Sequence, residues 1–333
     1  KGISKSEISE YGINECIRYG ELYTRYGEVI QDVFSKTNAD INKSVVSEAN
    51  DVIIPASGET QIDIATASCV MKSGVILGGD LNIIKTNKNG VFLSYYLNSK
   101  RKLDIANLAQ GISVVHLYSS QLALLNLNFP TLPEQQKIAT FLTAVDEKLQ
   151  VLKQKKSLLE QYKKGVMQKI FSQELRFKDD NGNEFADWEE KKLGEISRIT
   201  TGSSNREDSN LDGKFTFFDR SQDIRSSNRF LFDAEAIIIP GEGQEFIPEY
   251  FIGKFDLHQR TYAIMDIEPN NGKFLFYYII FNSNHLNSHA VGSTVKSLRL
   301  PMFEKMPIKL ASQEEQTKIA NFLSAIDEKI NQC

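Results

Sequence analysis

The chain has 333 residues, 41% of them apolar and 25% charged, with a formal net charge of −4 and a pI near 5.8. That length predicts more than one domain, the composition is that of folded protein, and no apolar run approaches membrane length. The acidity argues against a generic nucleic-acid binder held by charge alone.

No signal-peptide pattern opens the chain. Cys16, Cys69 and Cys333 are widely separated, so neither a disulfide framework nor a zinc site follows, and a reducing cytoplasm is expected. The sequence opens at Lys1 and closes at Cys333 inside a helical pattern, which predicts a fragment of a longer protein.

Residues 1–130 predict a mixed domain, incomplete at its N-terminus. Short β-rich runs at 51–55, 75–77 and 81–85 are separated by Gly and Asn turns, and a helix is expected over 92–99. Residues 131–173 predict one long helix. Thr131-x-x-Glu134 matches a capping box, and Pro133 sits in the first turn, where a missing N–H costs nothing. Ile138, Leu142, Val145, Leu149, Leu152, Leu159, Val166 and Ile170 follow a 4-3 spacing, the seam of a coiled coil interrupted by Lys156 and Lys163. Forty residues at about 1.5 Å each give a rod of roughly 60 Å.

Residues 174–311 repeat the grammar of the first domain, entering through Trp188 to Gly194 with a strand expected over 196–199. From Ser312 the long helix begins again. Between 134–148 and 315–329, eleven of fifteen positions are identical, among them Glu134/Glu315, Gln135/Gln316, Lys137/Lys318, Phe141/Phe322 and Asp146/Asp327. The repeat runs through the domains as well: Val52-Ile53-Ile54-Pro55-x-x-Gly58 matches Ile237-Ile238-Ile239-Pro240-x-x-Gly243, and Gly90-x-Phe92-Leu93-x-Tyr95-Tyr96 matches Gly272-x-Phe274-Leu275-x-Tyr277-Tyr278. Such a period is far longer than a solenoid repeat. The predicted order is domain, helix, domain, helix, with the second helix, 312–333, cut short.

These residues resemble the specificity subunit of type I restriction–modification systems. The resemblance covers the whole chain. It rests on the helix opening E-Q-x-K-I-A-x-F-L-x-A-x-D-E-K, present twice, on the helix exit Lys169-Ile170-Phe171-Ser172-Gln173, on the domain entry Trp188 with Lys192-Leu193-Gly194-Glu195-Ile196, and on Ile17-Arg18-Tyr19-Gly20-Glu21-Leu22-Tyr23. It implies an α+β architecture: two similar mixed α/β target-recognition domains separated by long helices that pair as an antiparallel coiled coil. It also implies that each domain reads half of a bipartite site on double-stranded DNA. The partners implied are methyltransferase subunits, two in number, which would hold S-adenosylmethionine, and restriction/translocase subunits.

The residues themselves predict no catalysis. There is no Gly-rich loop after a strand and no Walker pattern, and no Asn-Pro-Pro or Asp-Pro-Pro run. Glu189-x-Lys191 has the spacing of a nuclease pair but lacks a preceding Pro-Asp, and a solvated helix or strand entry is the simpler reading. Asp146-Glu147-Lys148 and its copy predict ion pairing at helical spacing. His285 and His289 could face one way on a helix, yet no third metal ligand is near in sequence.

Charge is uneven: residues 134–176 carry nine basic and five acidic groups, and 177–310 carry sixteen and twenty-one. DNA affinity is therefore expected from local clusters. Arg220, Ser221, Gln222, Arg225, Asn228 and Arg229 place guanidinium groups among side chains that can read base edges. Arg18, Tyr19, Arg25 and Tyr26 form a turn-rich counterpart in the first domain. Lys296, in the run Gly292-Ser293-Thr294-Val295-Lys296 where Thr294 is a further DNA-binding candidate, and Lys100-Arg101-Lys102 are candidate phosphate contacts. Ser57 and Gln244 lie on glycine-bearing loops after the duplicated strands. The competing reading is a paired-helix scaffold whose two heads bind protein or another ligand.

Overall fold

Asp51-Val52-Ile53-Ile54-Pro55 is buried at every position. In the computed structural model, which describes residues 3–111, 114–221 and 223–333, it is an inner strand of the first of two units, Lys1–Val151 and Leu152–Cys333. The first unit's central sheet holds β1 (Val29–Ile30), β2 (Asp51–Pro55), β3 (Ser68–Val70) and β4 (Leu81–Ile84) in the order β1-β3-β2-β4. The β1/β3 pair is parallel and the other pairs are antiparallel. Because successive strand residues face opposite ways, Val52 and Ile54 enter one core with Leu93, Leu97 and Ile105. Ile53 enters the other with Ile17, Leu22, Ile30 and Val70. A second sheet orders Ser35–Thr37, Asn14–Ile17, Ile76–Leu77 and Val45–Val46.

The expected helix at 92–99 is α1, Gly90–Ser99, two residues longer at its start because Asn89 Oδ1 accepts from Phe92 N at 2.8 Å. Gly90 is required there: a Cβ would meet the Asn50 carbonyl oxygen at 2.5 Å. Next comes α2, Leu132–Phe171, the forty-residue helix.

In the second unit β5 (Arg198–Thr201), β6 (Phe215–Phe218), β7 (Arg225–Ser227), β8 (Phe232–Pro240), β9 (Glu249–Leu257) and β10 (Thr261–Met265) form one sheet in the order β5-β10-β8-β9-β6-β7. The strand expected over 196–199 starts later, at Arg198, since Leu193–Ile196 closes a helical turn on the buried Leu193. The helix α3, Gly272–Phe281, repeats α1 and is capped in the same way by Asn271. Ile237 and Ile239 face α3, while Ala236 and Ile238 face the inside of the sheet with Phe255 and Met265.

The repeated helix openings dock on these domain helices through the same pins. Gln135 accepts from Asn89 N and donates to Pro130 O, and Gln316 in α4, Gln313–Asn331, accepts from Asn271 N and donates to Ala311 O. Asp146 accepts from Tyr95 Oη at 2.5 Å, and Asp327 from Tyr277 Oη at 2.7 Å. The expectation of helical ion pairs is thus replaced: the repeated aspartate grips a tyrosine of the domain helix. At the start of α4, Ser312-x-x-Glu315 has the spacing of a capping box but forms only half of one. Ser312 Oγ accepts from Glu315 N, but the Glu315 carboxylate is turned inward to Arg176 and Trp188.

The seam read from α2 is buried only at its far end. Val166, Ile170 and Phe171 join Ile319, Leu323 and Ile326 in one core, and Lys163 pairs with Asp327 at 2.5 Å. Lys163 of α2 meets Asp327, and Phe177, six residues past the end of α2, meets Phe322 nearer the start of α4, so the two stretches run past each other in opposite order. By contrast Val145 and Leu149 are 40% and 47% exposed, and Leu158 and Tyr162 are also open, because no described residue covers that stretch.

Candidate nucleic-acid interface

Backbone hydrogen bonds gather four loops at one end of the second unit's sheet. Backbone bonds from Gly202 N to His258 O, Ser204 N to Leu257 O and His258 N to Phe218 O draw the exits of β5, β6 and β9 together. The segment after β8 joins them through Gly241 N to Arg260 O at 2.8 Å. The result is a polar cleft of about 280 Å³ lined by Arg206, Asp219, Arg220, His258, Gln259 and Arg260. Glu242 holds two of its guanidinium groups, Arg220 Nη1 at 2.9 Å and Arg260 Nη1 at 2.5 Å. Both arginines remain half exposed, with further N–H groups facing solvent.

Glu242–Gly243 pairs with Lys296–Ser297, so Lys296 and the exposed Gln244 and Thr294 lie on the same rim. His258 is buried in the turn. Its Nδ1 accepts from Arg260 N at 3.1 Å, and burial lowers its pKa from 6.5, Asp219 opposing and Arg220 and Arg260 adding to that shift. Guanidinium forks fixed by one carboxylate, beside an amide and a neutral imidazole, suit the edges of bases and the phosphates between them.

The predicted loop from Arg220 to Arg229 divides. Arg220 faces the cleft, whereas Arg225 points its Nε at the buried Asp219 at 3.4 Å and is 28% exposed. Arg229 donates to Ser204 Oγ at 2.6 Å and pairs with the buried Asp256. Ser221 is turned inward onto Asp219. Asn228 and Arg229 border another cleft beside Glu207, Asp208 and Asp212, an acidic setting that disfavours phosphate. Gln222 lies outside the described residues.

In the first unit Ser57–Gly58 pairs with Val115–His116, the counterpart of the Glu242–Lys296 ladder, and Ser57 Oγ lies 3.1 Å from His116 Nδ1. Arg18 pairs with Glu21, and Tyr19 lies in the single turn Tyr19–Glu21. Tyr26 stacks on Phe34 and accepts from its backbone N. Arg101 is engaged by Asp104 and the Asn126 carbonyl, and Lys100 and Arg25 are exposed. Of the residues expected from sequence, Arg220 alone lines the second unit's cleft.

Sequence reasoning missed Arg206, His258, Gln259 and Arg260. The signal present was the polar His258-Gln259-Arg260 between two strand-like runs, a turn by composition. His285 and His289 stack at 4.2 Å on one short helix. Among the described residues no group of three or more His, Cys, Asp or Glu could hold a metal ion, and no helix is long and apolar enough to cross a membrane.

The family described as the type I restriction modification DNA specificity domain matches residues 1–161 and 186–332. A type I restriction enzyme EcoDI specificity subunit of Escherichia coli is 31% identical over 140 residues, 42% of this chain and 31% of that protein. The putative type I restriction enzyme MjaX specificity subunit of Methanocaldococcus jannaschii is 25% identical over 98% of this chain and 78% of its own length. The chain therefore spans about a third of the first relative and about three quarters of the second. Among solved structures, the S subunit of a type I restriction–modification system from M. genitalium superposes on all of this chain and 87% of its own, with a TM-score of 0.70 and 18% identity. That likeness concerns the fold.

Proposed function

Because this chain belongs to the type I restriction modification DNA specificity family, we propose that it is the sequence-reading subunit of such a system and catalyses nothing itself. Residues 1–130 and 174–311 each read one half of a bipartite DNA site, and the helices at 131–173 and 312–333 set the gap between the halves. Two methyltransferase subunits dock on the helices and carry S-adenosylmethionine, restriction/translocase subunits join them, and the complex works in the cytoplasm. One observation carries this reading: the family match falls on both copies of an internal repeat, and each copy offers the same two-stranded ladder, Ser57–Gly58 with Val115–His116 and Glu242–Gly243 with Lys296–Ser297.

Methylome sequencing of cells expressing the chain with its methyltransferase tests the reading. The expected product is a methylated motif of two fixed half-sites around a gap of free sequence. A single unbroken motif, or methylation indifferent to loss of this chain, would overturn it.

A further inference from the structure

Identical side chains of the repeated helix stand in two different surroundings. In α4 the Glu315 side chain is fully buried. Arg176 donates to it from Nε and Nη2, both at 3.0 Å, and Trp188 donates from Nε1 at 2.9 Å. Lys318 reaches Asp180 at 2.6 Å and the Lys178 carbonyl at 2.9 Å, and Phe322 meets Phe177 edge-on with centroids 5.6 Å apart. Just before α4, Pro307–Leu310 pairs antiparallel with Glu189–Lys192. One segment, from Arg176 to Lys192, supplies all of these partners.

The matching residues of α2 are Glu134, Lys137 and Phe141. Glu134 and Lys137 are exposed and Phe141 is 68% exposed. Among the described residues none of the three makes a hydrogen bond, ion pair or ring contact. Pro133, Gln136, Lys137, Thr140 and Phe141 line an open cleft. Residues 126–129 occupy the place of Pro307–Leu310, with Leu127 and Phe129 turned in, Asn126 and Asn128 out, and no strand paired to them among the described residues.

We propose that Glu134, Lys137, Phe141 and the 126–129 edge form a docking site for an extended polypeptide built like Arg176 to Lys192. Its features are an arginine beside an aromatic, an acidic residue four positions on, a tryptophan after a further eight, and then a short strand. Charge and shape both select it. A carboxylate that becomes buried requires a bidentate guanidinium, Phe141 requires an apolar cover, and an unpaired edge accepts a strand. A nucleic acid would bring phosphates toward Glu134 and leave Phe141 uncovered.

The test is fluorescence anisotropy of a labelled peptide with the sequence of residues 174–192, titrated with the full chain. Saturable binding is expected, weakened about tenfold or more in Glu134→Gln, in Phe141→Ser and with Arg176→Ala in the peptide. Both protein positions are exposed, so circular dichroism of the variants should match the parent. Absence of saturable binding, or binding undiminished in Glu134→Gln, overturns the proposal. So does concentration-dependent self-association that Phe141→Ser abolishes while the peptide fails to bind, which would assign the face to a second copy.

Discussion

Asp219 and Asp256 decide what the arginines between 220 and 229 are free to do. Each carboxylate is buried, and a buried anion holds its cation. Arg225 faces Asp219 and Arg229 faces Asp256, so Arg225→Ala should lower unfolding stability by about 1–3 kcal/mol in urea titration. Arg220 and Arg260 share the half-shielded Glu242 and keep donors free. For Arg260→Ala the expected loss is about 1–3 kcal/mol on the cognate site, confined to one base position. Lys296→Ala should weaken all sequences alike and reduce the salt slope by about one. Binding-site selection at two ionic strengths separates these outcomes; indistinguishable profiles for Arg260→Ala and Lys296→Ala would contradict the sorting. His258 adds a pH term. Burial depresses its pKa below 6.5, so the unfolded chain takes up the proton first as pH falls. Its contribution to stability is complete above about pH 6.5 and declines below that value, down to the folded pKa. His258→Asn keeps an acceptor for Arg260 N without the titration. Its stability should therefore fall less steeply with acid than the parent's, read by denaturation at pH 7 and pH 5.

At the scale of elements, the long helix, the first domain helix and the inner strand Asp51–Pro55 were legible because their signals are local: spacing, a helix start at Pro133 and unbroken apolar runs. What was not legible depends on partners far along the chain. The identity of Asp146 and Asp327 is plain in the sequence, but their tyrosines lie about fifty residues upstream in other elements, where no periodicity points. The same holds for Glu315, which reads as a helix cap and is instead closed over by Arg176 and Trp188. The cleft residues His258 to Arg260 sit in a turn whose composition predicts exposure, and they converge with Arg206 and Arg220 through backbone bonds to loops far along the chain. The two docking pins differ in one respect: Asp327 also pairs with Lys163, whereas Asp146 has its tyrosine alone among the described residues. Asp327→Ala should accordingly cost more stability than Asp146→Ala, by roughly 1 kcal/mol. Thermal unfolding of the two variants checks the order.

At the scale of the whole molecule, an acidic chain that is to bind DNA must depend on placement rather than on total charge. Only residues 134–176 carry a clear basic excess, so the isolated chain should bind duplex weakly and gain affinity within the methyltransferase complex. If the helices set the gap between half-sites, their length must be readable in the DNA. Deleting residues 150–156 removes two helical turns, about 10 Å, and keeps the seam on nearly the same face. Those residues precede Lys163 and the buried turns Val166–Phe171, so the core of the second unit is left intact. The expected result is a gap changed by about three base pairs, with both half-sites unaltered, read by methylome sequencing of the variant complex. Deleting five residues instead rotates everything beyond the cut by roughly 140° and should abolish recognition rather than shift it. A gap that stays the same after the seven-residue deletion would mean that the partner subunits, and not this helix, measure the distance.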